Sequence, residues 1–381
     1  MQGAFGLKSK WHNRDVIYLL FLCASIFILA GCNKDTQEVR IGLSVNLTGY
    51  SGTPAEDMRD GATLAVKEIN KQEDSLRLRL ITKDDKNSPQ GVKAADEELI
   101  AAGCPVIIGH SYSENTLMAY PIVTGANRIL ITAYTATTKL SDKDDLFFRT
   151  SVDNSLYAKA FAKLFRERNL RDIVTVMDVS NPSFSLDLYK SIKKEFNGAM
   201  VGISIDARGR VEWDRIIRKI KEKRPQAVLM ATEVKSTAIL AQKLKEAGYK
   251  GSFFATIWAQ GPSLLTYGGH AVEGLSIVTF VKPRYHNKLY RHFERQMEQQ
   301  FYKKATPKAA RAYELVSILH EAIKGCKGRV NDTKCIKNRL LNGHYHSLMG
   351  PLKFNRFGDV LRPIYLVTVK GGDFHLEKRI L

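Results

Sequence analysis

A chain of 381 residues with 44% hydrophobic and 25% charged content is too apolar for disorder and too long for one small core, so two packed domains are expected. The 58 Lys+Arg against 39 Asp+Glu give a formal net charge of +19. The basic residues are spread along predicted helices and are not clustered with aromatics. They read as a solvated basic surface suited to anionic headgroups or an acidic ligand, which argues against nucleic acid as a partner.

At the N-terminus Lys8, Lys10 and Arg14 precede an apolar run from Val16 to Ala30. At about 15 residues the run is shorter than the roughly 20 needed to span a bilayer, and it has the layout of a secretory signal. Leu29-Ala30-Gly31-Cys32 closes the run and resembles the lipobox of bacterial lipoproteins, whose cysteine is acylated and becomes the mature N-terminus. That resemblance implies a lipoprotein signal over residues 1–31, lipidation at Cys32, a tether over 32–38 and an exported, membrane-anchored protein. An ordinary signal with an incidental cysteine is the alternative. Cys23 leaves with the signal, and Cys104 reads as a small buried residue before the apolar Val106-Ile107-Ile108. Cys326 and Cys335 flank a polar, Gly-containing loop and are expected to pair in an oxidising compartment. No spaced ligand set suggests a metal, and no cofactor is expected.

From Val39 onward, β-branched runs alternate with amphipathic stretches. Strands are predicted at Val39–Asn46, Leu76–Asp84, Val106–Gly109 and Ile129–Ala133, with helices at Met58–Gln72, from Pro89 to near Gly103, and at Ser113–Val123. After Phe147-Phe148-Arg149-Thr150 the pattern restarts. Strands are expected at Ile173–Asp178, Met200–Ile205, Ala227–Ala231, Phe253–Ile257 and Glu273–Phe280. Helices are expected at Ser183–Phe196, Trp213–Lys223, Ser236–Ala247, Lys288–Tyr302, Lys308–Lys324 and Asp332–Leu341. The chain is predicted to finish with a hairpin of Leu352–Phe354 against Pro363–Val369, turned at Gly358-Asp359. Strands alternating with helices imply parallel pairing through right-handed crossovers, hence an α/β fold. The expected division is lobe I over 39–150 with about 281–345, and lobe II over 151–280 with about 346–381.

In open parallel sheets the chemistry sits past the carboxyl ends of the strands. Three such places carry hydroxyls or glycine: Asn46 to Gly52 (with Tyr50), Gly109 to Thr116, and Thr132 to Thr138. Ser113 falls at a predicted helix start, where its hydroxyl and free N–H groups suit a carboxylate. Each hydroxyl also reads as a plain helix cap, and only their shared sheet edge favours a cleft. Glu233 ends a predicted strand and is placed either to meet an ammonium or amide across that cleft or to cap the helix that follows. Phe184 and Trp258 read equally as an apolar wall or as core. Gly109-His110-Ser111-Tyr112-Ser113 approaches a hydrolase nucleophile elbow but lacks its last glycine, so an enzyme is not expected.

Several fragments together are specific: IGLSVNLTGYSG, GATLAVKEIN, VIIGHSYSENTLMAYPIV, ITAYTATTKLSD and GPLKFNRFGDVLRPIYLVTV. In their order and spacing the sequence resembles the type I periplasmic solute-binding proteins, in particular the leucine/isoleucine/valine-binding group. The resemblance implies two Rossmann-like α/β lobes with parallel central sheets, joined by a multi-strand hinge and closing on a small ligand. It implies that Ser113, Thr116 and the Tyr134-Thr135-Ala136 segment bind the ligand, with an aromatic contact at Phe184, while Tyr50, Glu233 and Trp258 are expected around the ligand from their own places past the strand ends. The pattern departs at Ala133 and Ala136 in the family's Ser-Pro-x-Ala-Thr loop, and at Ile257-Trp258 where the family has an acid. The family's early disulfide would fall at Asn87 and Tyr112 and is absent. The implied partners are a small polar ligand, amino acid or amide-like, and an ABC permease complex. A sensing role beside a chemoreceptor or kinase is the second reading.

Overall fold

The computed structural model describes residues 37–49, 55–72 and 76–381. Cys32 and Tyr50 lie outside the described residues. The first half runs β1 (Gln37–Val45), α1 (Glu56–Asn70), β2 (Leu76–Asp84), α2 (Pro89–Ala101), β3 (Val106–Gly109), α3 (Ser113–Gly125), β4 (Ile129–Thr132) and β5 (Phe147–Arg149). These strands form one parallel sheet in the order β2-β1-β3-β4-β5. The unbroken apolar runs of β3 and β4 are buried along their whole length, as parallel strands covered by helices on both faces must be. Helix α2 starts where Ser88 Oγ accepts the Gly91 N–H at 3.1 Å and Pro89 supplies a preset φ.

The second half begins with α4 (Asn154–Glu167), β6 (Asp172–Asp178), α5 (Pro182–Glu195), β7 (Ala199–Ile205), α6 (Trp213–Lys223), β8 (Ala227–Ala231), α7 (Val234–Glu246), β9 (Ser252–Thr256), α8 (Pro262–Gly268) and β10 (Ser276–Thr279). It continues with α9 (Lys288–Phe301), α10 (Pro307–Lys324), α11 (Thr333–Asn342), β11 (Tyr345–Ser347), β12 (Gly350–Leu352), β13 (Tyr365–Lys370) and β14 (Asp373–Arg379). The second sheet is ordered β14-β13-β10-β9-β8-β6-β7, parallel from β7 to β10 and antiparallel at β13 and β14. Each sheet carries an apolar layer on either face, so the architecture is α/β with two parallel central sheets.

Late elements return to the first sheet. Leu315, Leu319 and Ile323 of α10, Ile336 of α11, and Tyr345, Leu352, Phe354 and Val360 pack with Val39, Ile41 and Ala62. Helices α1 and α10 approach closely at Gly61: a Cβ there would stand 2.1 Å from the Ala309 carbonyl oxygen. Ala309 and Ala310, in turn, belong to the cluster that holds Phe161 and Phe254, so the start of α10 is wedged between the two lobes.

Three features differ from the sequence expectation. The closing hairpin is not Leu352–Phe354 against Pro363–Val369. Instead β12 pairs with β11, Phe354 bridges only to Val360, and β13 sits between β10 and β14. Leu366, Val367 and Val369 are all buried, which requires a place inside a sheet and not on a two-strand ribbon. Helix α4 follows an Asp153 cap that accepts the Ser155 and Leu156 N–H groups, and it buries Tyr157, Phe161, Leu164 and Phe165. Strand β14 is charged and largely exposed, an edge strand without an alternating apolar signal.

Candidate functional site

The loops after β3, β4, β6 and β9 face one another across a cleft of about 40 Å³. Ser111, Tyr112 and Tyr134 line it from the first sheet, and Asn181, Phe184, Ile257 and Trp258 from the second. Lys308 and Arg311 of α10 close it, beside Ala55 and Met58. Trp258 lies edge-on to Tyr112 at 5.9 Å and to Phe184 at 5.5 Å, so the aromatic wall is continuous between the lobes. The lobes also exchange polar contacts beside the cleft. The Glu114 N–H donates to Asn181 Oδ1 and the Ser183 N–H to Glu114 Oε2, both at 3.1 Å.

The sequence-selected residues divide into three groups. Tyr134, Phe184 and Trp258 line the cleft. Ser113, Thr116, Thr135 and Ala136 form a buried network behind that wall. The Ala136 N–H donates to Ser113 Oγ at 3.1 Å, and Thr116 Oγ1 lies 2.5 Å from Thr135 Oγ1 and accepts the His110 N–H at 3.1 Å. Ser151 Oγ donates to the Thr135 carbonyl and the Asn154 N–H to that of Ala136, fixing the loop after β4 on both sides. Glu233 stands at the head of α7, where its carboxylate accepts the Lys235 N–H at 3.0 Å and the Ser236 N–H at 2.7 Å. Outside the cleft, the Cys326 and Cys335 sulfurs lie 2.21 Å apart with Cα atoms 6.0 Å apart, and Cys104 is buried with its thiol pushed up to about 11 by burial.

Sequence reasoning passed over the two cleft cations. Lys308 and Arg311 are three residues apart, so α10 presents both on one face. Tyr134 locks that turn by donating its hydroxyl to the Lys308 carbonyl at 2.7 Å, while Arg311 stacks on the Tyr134 ring at 4.4 Å. Arg311 is 7% exposed, and its Nε has no hydrogen-bond partner. It also faces the Phe280 ring at 5.9 Å. Burial pulls the guanidinium below its ordinary value, opposed by the neighbouring Tyr134 and Tyr157. Burial likewise draws the Lys308 ammonium down to about 8, partly offset by Asp57, with Arg311 adding to the fall. The only sequence signal was a Thr-Pro helix start followed by basic residues.

His110, beside Ser111, is turned away from the cleft into the core, where it meets Asp85 at 2.8 Å and Asp96 at 3.2 Å. The two carboxylates outweigh the cost of burial and raise its pKa to about 10, so it is a charged structural residue and no base for Ser111. Ser111 Oγ instead accepts the Asn46 N–H at 3.2 Å.

Two α/β lobes meeting at the carboxyl ends of their strands around an aromatic cleft define a two-lobed solute-binding protein. Residues 38–373 match the family model described as periplasmic binding protein, and the chain belongs to that family as a type I member, a family of solute-binding proteins and not of enzymes. The leucine-, isoleucine-, valine-, threonine- and alanine-binding protein of Pseudomonas aeruginosa is 21% identical over 262 residues, 67% of this chain and 70% of that relative. The leucine binding protein of Thermotoga maritima superposes with a TM-score of 0.81 at 19% identity, covering 90% of this chain and 98% of its own. A solute binding protein of an ABC transporter from R. palustris, solved in complex with benzoate, gives 0.80 at 18% identity over 90% and 96% of the two chains. Among the described residues no helix is long and apolar enough to cross a membrane.

Proposed function

We propose that this protein is anchored through acylated Cys32 on the outer side of a bacterial membrane, captures a small carboxylate-bearing solute between its lobes and delivers it to an ABC permease. The observation that carries the reading is the cleft itself, lined by Tyr112 and Tyr134 from one sheet and Phe184 and Trp258 from the other. A solute touching both walls stabilises only the closed arrangement, which is the state a permease would distinguish. The relatives support an amino acid or aromatic acid as the kind of solute: one is named for leucine and similar amino acids, another was solved with benzoate.

In this reading lobe I comprises 39–150 and 281–345 together with the 346–360 segment, whose Leu352, Phe354 and Val360 share the first core. Ser113, Thr116, Thr135 and Ala136 hold the binding loops in shape from behind. The Cys326–Cys335 pair is oxidised, closing the loop ahead of α11 and adding about 2–3 kcal/mol on the chain-entropy model. Membrane fractionation of the expressed chain tests the anchor: wild type pellets with membranes and Cys32→Ser appears in the soluble extracytoplasmic fraction. Retention of Cys32→Ser on the membrane would contradict lipid anchoring.

A further inference from the structure

We infer that the solute is a net-anionic organic acid with a flat apolar body and no ammonium group, its carboxylate held by Arg311 and Lys308. This rests on the solute-binding reading above and narrows it to a ligand class.

Three helix starts converge on the cleft. Tyr112 caps α3, Asn181 caps α5 and Lys308 is the second residue of α10, and all three line the same space. Several of their first N–H groups are taken within the chain, at α3 by Asn181 Oδ1, at α5 by Glu114 Oε2 and at α10 by Thr306 Oγ1, so what the three starts bring to the cleft is the partial positive charge of their dipoles, which favours an anion. Arg311 and Lys308 then add two full cations, and neither forms an ion pair or a side-chain hydrogen bond among the described residues. A buried guanidinium without a carboxylate partner is costly, which makes its position at the cleft wall informative.

Among the described residues the nearby carboxylates are committed elsewhere: Glu314, whose charge reaches Arg311, is held by Arg362, Ser347 and the Met349 N–H, and four others are engaged as follows. Glu114 accepts the Ser183 N–H at 3.1 Å, and Glu233 accepts the first N–H groups of α7. Asp178 accepts the Ser180 N–H at 2.9 Å and the Ala207 N–H at 3.2 Å. Asp57 meets Lys303 at 3.2 Å and accepts the Thr306 hydroxyl at 2.9 Å. None of the four lines the cleft. An α-amino acid would therefore place its ammonium beside two cations and three helix starts, with no acceptor of opposite charge among the described residues of the cleft wall. Beside the polar Ser111 and Asn181, the rest of the wall is apolar: Met58, Ile257 and the rings of Tyr112, Tyr134, Phe184 and Trp258, with Trp258 edge-on to Tyr112 and Phe184, which suits a planar or short apolar body. At about 40 Å³ the cleft is tight, so the body must be slim and the lobes must part a little to admit it.

The test compares two molecules that differ in one group. The purified mature protein is titrated with 3-phenylpropanoate and with phenylalanine, alongside benzoate, leucine and 3-phenylpropanamide, reading both melting temperature and tryptophan fluorescence. The acid is expected to raise the melting temperature by mass action. Phenylalanine is expected to bind about 100-fold more weakly, the scale of an unmade charged hydrogen bond. Arg311→Gln should lose about 100-fold in affinity for the acid while its unliganded melting temperature does not fall, and Arg311→Lys should recover part of the loss. Phenylalanine or leucine binding as tightly as the acid would overturn the ligand class and leave solute binding intact. Tight binding of the neutral amide would do the same. A flat response to every member of the panel would overturn both readings.

Discussion

The strand crossovers and the cleft each bury arginine, and they treat its charge in opposite ways. At the crossovers Arg149 meets Asp359 at 2.6 Å and Asp153 at 3.5 Å, and it donates to the Thr137 carbonyl at 2.8 Å. Arg362 donates to Glu314 at 2.5 Å and to the Thr150 carbonyl at 2.8 Å. In the cleft Arg311 has aromatic faces and no ion-pair partner among the described residues, although it shares the Phe280 ring with Arg362. Removing a charge from water costs several kcal/mol, and the crossovers offset it within the chain. The cleft does not. The difference separates cations that hold the lobes in register from cations held ready for an incoming anion.

Breaking a crossover pair should produce the largest effect. Arg362→Gln leaves Glu314 buried without its cation, and urea unfolding should show a loss of about 3–5 kcal/mol. A loss below about 1 kcal/mol would remove the contrast on which the comparison stands. Gly61→Ala comes next. Alanine normally favours a helix interior, but here its Cβ would meet the Ala309 carbonyl at 2.1 Å, and backbone cannot yield as a side chain can. Overpacking of about 1–3 kcal/mol is expected, together with weaker solute binding because α10 carries Lys308 and Arg311. Thermal unfolding and a ligand titration on the same variant check both parts.

The smallest effect is a pH dependence of binding. Lys308 is depressed to about 8, and the groups facing it are Asp57, Arg311 and Glu233. It is charged below that value and neutral above, so affinity for an anion should be full at pH 7 and fall as pH rises through 8. The decline for one proton is at most tenfold per pH unit. Affinity that rises over the same range would contradict a cationic Lys308 at the site.

Much of the scaffold was readable from local pattern. Leu76–Asp84, Val106–Gly109, Trp213–Lys223 and Ala227–Ala231 fall where periodicity and turn residues put them. Helix α4 was equally readable from Leu156, Tyr157, Phe161, Leu164 and Phe165 at helical spacing behind Asp153, and it was passed over beside the stronger strand signals. The last strands were not readable, because β13 takes its neighbours from distant sequence and β14 has no apolar face. The site followed the same division. Tyr134, Phe184 and Trp258 sit just past strand ends, where topology alone directs attention. Lys308 and Arg311 arrive from a helix 174 residues after the tyrosine that holds them, and no local pattern marks such a meeting. For Glu233 the sequence left two roles open, and its oxygens are engaged by the N–H groups of its own helix.

The most direct measurement is urea unfolding of Arg311→Gln beside wild type, each with and without saturating 3-phenylpropanoate. Without ligand the variant should be as stable as wild type or more so, since it removes a buried charge that the protein does not neutralise. With ligand, only wild type should gain stability. A ligand-free loss as large as that of Arg362→Gln would show that Arg311 is a structural cation, and would contradict the account.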